Sequence, residues 1–156
     1  MRIVATADKT YADPSALLKL YLREPQSHAM AVWRARIGRP LLVTYHGQVE
    51  MINGIGLATH RGFIAPAVGA AALAALDDDF SEGRLVYANL LWRAALKRAA
   101  DLSREHTARM GCRSLDTLHV ASALELGLRQ FVTFDTRQQL LVRAVGLKLV
   151  VPAAAV

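Results

Sequence analysis

Cysteine is nearly absent: Cys112 stands alone in 156 residues, so the chain can form no internal disulfide and build no thiolate zinc cluster. Long apolar runs are missing as well. Nothing approaches the ~20 consecutive apolar residues of a membrane span, and the opening MRIVATADKTYADP lacks the apolar stretch and small-residue cleavage site of a secretory leader. The expectation is a cytoplasmic protein with no membrane association. Neither G-x-x-x-x-G-K nor G-x-G-x-x-G occurs, which argues against nucleotide-dependent chemistry. There is no G-x-S-x-G elbow for a serine nucleophile. The histidines, at positions 28, 46, 60, 106 and 119, show no H-x-x-x-H spacing, which argues against a zinc site.

What is present is an apolar, basic chain. With 53% hydrophobic residues it can bury a substantial core, and its length suits one domain over residues 1–156. Nineteen Lys and Arg against thirteen Asp and Glu give a net charge of +6, and arginine far outnumbers lysine. Arginine's planar fork suits phosphate oxygens, so a polyanionic partner fits.

Periodicity alternates between strand and helix. Thr10–Ala12 predicts a strand that runs into Asp13-Pro14-Ser15, and a helix then follows through ALLKLYL until Arg23-Glu24-Pro25 stops it. Residues 27–37 predict a second helix. LLVT (41–44) predicts a buried strand, followed by a helix that tolerates Gly54 and Gly56. The alanine-rich middle predicts a helix with Asp77-Asp78-Asp79 in a solvated loop at its end, then an extended RLVYAN. A long helix follows from about Leu90 to Met110, with Leu91, Ala95, Leu96, Ala99 and Leu102 as its apolar stripe. SLDTLHVASALELG, FVTF, TRQQLLVRAVG and LKLVV complete the alternation as helix, strand, helix, strand. The expectation is an α/β fold, a parallel sheet of about four to five strands with helices on both faces.

Four acids fall where such a sheet binds ligands, in the crevice beyond the carboxyl ends of its strands. Asp13 follows the first strand, Glu50 lies in the helix after LLVT, Asp116 in the first turn of SLDTLHVASAL, and Asp135 just after FVTF. Each aspartate also fits helix capping: Asp13 before Pro14, Asp135 before TRQQLL, and Asp116 at the positive end of its helix. Jointly the four point to a cation, because crowded carboxylates repel one another and an oxygen-preferring ion such as Mg²⁺ or Mn²⁺ relieves that repulsion. In a basic protein the matching chemistry is phosphodiester hydrolysis. Arg113 and Arg137, which flank the last two acids, are the candidates for phosphate contacts. His119, one turn past Asp116, is expected to pack its helix.

The segments YADPSALLKLYLREP, VTYHGQVEMINGI, RSLDTLHVASALELGL and FVTFDTRQQLLVRAVGLKLV, taken together and in order, resemble the signature segments of PIN-domain ribonucleases, in particular the VapC-type toxins of bacterial toxin–antitoxin pairs. The resemblance implies a PIN-like fold and Mg²⁺- or Mn²⁺-dependent endonucleolytic cleavage of RNA. It also implies a small antitoxin partner and a homodimer. Asp13, Glu50 and Asp116 match the family's metal-site acids, and Asp135 its fourth. Ser15 and Thr133 match small hydroxyl positions beside that site. Asp8, after the strand-like RIVATA, rivals Asp13 for the first position, and Tyr45 stands where the family often has serine or threonine. Two alternatives remain at this point: an RNA-processing nuclease without an antitoxin, and a non-catalytic RNA- or protein-binding module in which the acids only cap helices. Cleavage by histidine acid–base chemistry would survive chelation, and the four acids speak against it.

Overall fold

A computed structural model describes residues 10–154; Asp8 and the strand expected around it lie outside them. Five short strands form one parallel sheet: β1 (Thr10–Ala12), β2 (Leu41–Val43), β3 (Leu85–Tyr87), β4 (Gln130–Val132) and β5 (Lys148–Val150), in the order β3-β2-β1-β4-β5. The chain winds outward from β1 to β3, then returns to the other side of β1 for β4 and β5. The order therefore reverses between β1 and β4, where a doubly wound sheet opens its crevice.

Alternation along the strands divides the core into two. Ala12, Leu41, Val43, Leu85 and Val132 face one cluster with Leu17, Met30, Met51, Ile55 and Leu76. These come from α1 (Pro14–Leu18), α2 (Ser27–Ile37), α3 (Tyr45–His60) and α4 (Pro66–Ser81). Tyr11 and Phe131 face the opposite cluster with Ala95, Leu118, Val120, Leu141 and Val142. Those come from α5 (Trp92–Leu102), α7 (Ser114–Glu125) and α8 (Thr136–Ala144). Burying one such large apolar side chain contributes about 1.5–3 kcal/mol.

Two glycines set how closely helices approach. A Cβ at Gly54 would lie 2.7 Å from Leu18, so α3 sits tight against α1, and a Cβ at Gly69 would collide with the Thr59 hydroxyl, so α4 sits tight against α3. Gly54 is thus a close-approach position within an unbroken α3 rather than a helix break.

The structure departs from the sequence expectations in four places. The first helix ends at Leu18 and continues as turns, with Leu22 folded back into the core. Asp77–Asp79 belong to the last turns of α4 rather than to a loop, because Asp79 accepts hydrogen bonds from the Tyr21 hydroxyl and from Arg84 (2.5 Å). The long helix widens into a π turn at Ser103–Thr107 before α6 (Ala108–Met110). In its expected stripe only Ala95, Ala99 and Leu102 are buried, while Leu91 and Leu96 are 72% and 45% exposed.

Candidate active site

A cavity of about 390 Å³ opens at the carboxyl edge of the sheet, and Asp13, Glu50, Asp116 and Asp135 all line it, together with Ser15, Leu18, Arg113, Ser114, Leu115 and His119. The four acids arrive from different elements. Asp13 leaves β1 and caps α1, its Oδ2 accepting from the Ser15 backbone N–H at 3.0 Å and from the Ser15 hydroxyl. Its Oδ1 accepts from Gln138 Nε2 at 3.0 Å. Asp135 leaves β4 and caps α8, accepting from the backbone N–H groups of Arg137 (2.9 Å) and Gln138 (3.0 Å). Asp116 accepts from the Arg113 N–H at 2.9 Å in a capping box at the start of α7. Capping therefore holds each aspartate, and in holding it also turns it toward the cavity.

Glu50 caps nothing. It lies within α3 and its Oε2 meets His119 Nε2 in a short hydrogen bond. His119 is 1% exposed, and its other ring nitrogen, Nδ1, lies 2.6 Å from the Tyr11 hydroxyl. Arg113, its side chain 69% exposed, stands between two of the acids, with Nε 3.4 Å from Asp116 Oδ2 and Nη2 3.4 Å from Asp135 Oδ2. Each carboxylate is thus turned toward a protein partner. Among the described residues no three His, Cys, Asp or Glu side chains converge closely enough to hold an ion as they stand. The donor set nevertheless suits a hard cation: four carboxylates and the Ser15 hydroxyl are oxygen donors, with no sulfur among the lining groups.

The field of the site marks its neighbours. Burial pushes the Tyr11 phenol far above the ordinary range, and the Asp13 and Glu50 charges add to that. Burial, with the charges of Asp116 and Asp135, also raises the Cys112 thiol. His46, stacked on His119 at 4.7 Å, is pushed down to about 3 by burial and by His119 and is neutral at physiological pH.

The remaining expected residues divide. Ser15 and Arg113 line the cavity. Thr133 does not: it is fully buried, and its hydroxyl oxygen accepts from the Asp135 N–H at 3.1 Å, shaping the turn that presents that acid. Arg137 is exposed and outside the lining set, and it serves the site through its backbone N–H. Gln138 and Tyr11, which sequence reasoning passed over, and His119, which it expected only to pack its helix, belong to the site's support. Gln138 is fully buried on Asp13, with its Oε1 unpartnered. His119 and Tyr11 form a buried chain behind Glu50. The D-x-x-H spacing of Asp116 and His119 was the available signal for the histidine. For Gln138, 125 residues from Asp13, there was none.

A family model described as PIN domain matches residues 10–143. Ribonuclease VapC46 of Mycobacterium tuberculosis is 29% identical over 145 residues, which cover 92% of this chain and 97% of that protein.

Proposed function

The chain belongs to the PIN-domain family, and from that premise we propose that Asp13, Glu50, Asp116 and Asp135 hold a catalytic Mg²⁺ or Mn²⁺. The protein is an endoribonuclease that hydrolyses RNA phosphodiester bonds, the toxin of a toxin–antitoxin pair. PIN nucleases generally depend on a divalent metal. The observation that carries the site assignment is that four carboxylates from four separate elements line one cavity in a chain of net charge +6.

Bound there, the cation supplies positive charge against the phosphoryl oxygens and a water made more acidic for attack on phosphorus. The chain's own groups do the rest. Arg113 at the rim holds a flanking phosphate, its guanidinium passing from the two acids to the RNA backbone. Ser15 fixes Asp13, and Thr133 fixes the turn bearing Asp135. Leu18 and Leu115 form the apolar wall of the cavity and limit how the sugar can lie.

Its partners are RNA and a cognate antitoxin, and the reading places the protein in the cytoplasm, as one domain over residues 1–156. It acts as a homodimer. Supporting that reading, Tyr45, Val49, Leu91, Trp92 and Leu96 are all between 45% and 72% exposed, more bulky apolar surface than a lone basic chain needs.

The test of function is cleavage of a mixed pool of structured RNAs by the purified protein with Mg²⁺ or Mn²⁺, with EDTA, and with Glu50→Gln. Cleavage that is lost in both controls supports the reading. Cleavage that survives EDTA rejects the metal site, and tight RNA binding indifferent to Mg²⁺ with no product favours a binding module.

A further inference from the structure

Behind the cavity runs a chain of three side chains: Tyr11 on β1, His119 on α7 and Glu50 on α3. We propose that Tyr11 and His119 are positioning residues, a buried relay that fixes the tautomer of the imidazole and through it the orientation of the Glu50 carboxylate; this rests on the reading that Glu50 holds the cation.

A carboxylate oxygen only accepts, so the hydrogen bond between His119 Nε2 and Glu50 Oε2 puts a proton on Nε2. In the tautomer with that single proton, Nδ1 is bare and accepts from the Tyr11 hydroxyl 2.6 Å away. The order Tyr O–H to Nδ1, then Nε2–H to carboxylate, leaves no polar atom of the histidine unpaired, although the ring is 1% exposed.

Packing holds that ring in one orientation. Tyr11 stacks on Phe131 at 5.1 Å, and the neutral His46 ring stacks against His119 at 4.7 Å. The elements involved already carry acids of the site. β1 supplies Tyr11 and, two residues on, Asp13; α7 supplies Asp116 and, one turn on, His119. Glu50 comes from the helices on the opposite face of the sheet. The relay therefore ties the one acid that caps no helix to the two elements whose acids do. A group behind a carboxylate ligand that sets its orientation is the usual means of tuning a metal site.

The test uses the full-length chain with Tyr11→Phe, which removes one hydroxyl and keeps the stacked ring, with His119→Gln, which keeps an N–H donor, and with His119→Leu, which does not. Long-range proton–nitrogen NMR of histidine-labelled protein in EDTA should show His119 as the Nε2–H tautomer in the wild type and as a mixture in Tyr11→Phe. Manganese binding by calorimetry should weaken about 10–100-fold in Tyr11→Phe and His119→Leu, with His119→Gln in between, while the melting temperature of Tyr11→Phe stays near that of the wild type. In turnover, kcat should fall and KM for RNA should hold. A proton on Nδ1 in the wild type, or wild-type manganese affinity in Tyr11→Phe, overturns the relay. If the wild type takes up no manganese, the metal assignment fails, and the tautomer spectrum in EDTA still decides the relay.

Discussion

Asp116 both caps α7 and lines the cavity, and substitution by asparagine separates the two roles. Asparagine keeps an oxygen to accept from the Arg113 N–H, now at 2.9 Å, so the cap, worth about 1 kcal/mol, survives. What goes is the charge. Its attraction to Arg113 at 3.4 Å runs to a mostly exposed guanidinium and is worth at most about 1 kcal/mol, and its interaction with the helix dipole about 0.3–1 kcal/mol. Relief of repulsion from the other three carboxylates offsets part of this. Asp116→Asn should therefore unfold within about 1 kcal/mol of the wild type, a shift of roughly 2–4 °C in a chain of this size. Asp116→Ala loses the cap as well and should fall about 1 kcal/mol further. Cleavage behaves differently, since both variants lack a carboxylate that would hold the cation, whose charge faces the reacting phosphate, and should lose about 10²–10³-fold or more. Melting in EDTA and RNA cleavage at saturating Mn²⁺ measure the two quantities separately. Asparagine that melts like the wild type and still cleaves would show that the carboxylate is only a cap.

Two further outcomes are expected. The His46 pKa lies at about 3 in the fold against 6.5 as a free group, so below pH 6.5 the unfolded chain binds the extra proton and stability declines as pH falls toward 3; because the ring is only partly buried, the loss should be about 1–2 kcal/mol, and His46→Phe should flatten that part of the urea-unfolding profile. Light scattering should find the wild type dimeric and Leu91→Glu, which puts a charge on the exposed apolar face, monomeric; a monomeric wild type at micromolar concentration would reject the homodimer.

The elements that the sequence revealed are those with local causes. LLVT and FVTF are short apolar runs between turn residues, and the strands β2 and β4 formed there. The α2 boundaries follow from Glu-Pro before it and Gly38 after it, the glycine adopting φ 59°. Capping aspartates could be read for the same reason, since Asp13 and Asp135 bond to backbone only two or three residues away. What could not be read depends on distant partners. The end of α4 keeps its helical turn through Tyr21, 58 residues away from Asp79. His119 looked like packing because one turn of helix shows neither Tyr11 nor Glu50. The π turn at Ser103–Thr107 has no Gly or Pro to announce it.

The long spans across the site also bear on how the protein is made. Asp13 is held by a residue 125 positions later, Tyr11 by one 108 positions later and Glu50 by one 69 positions later, and β1 gains its second neighbour only when Gln130–Val132 arrives. During synthesis the first two acids emerge well before their distant partners, when Asp13 has only the neighbouring Ser15 to hold it. A chain paused on the ribosome short of α7 carries half the carboxylates and lacks both His119 and Gln138, so the site is assembled only as translation nears its end.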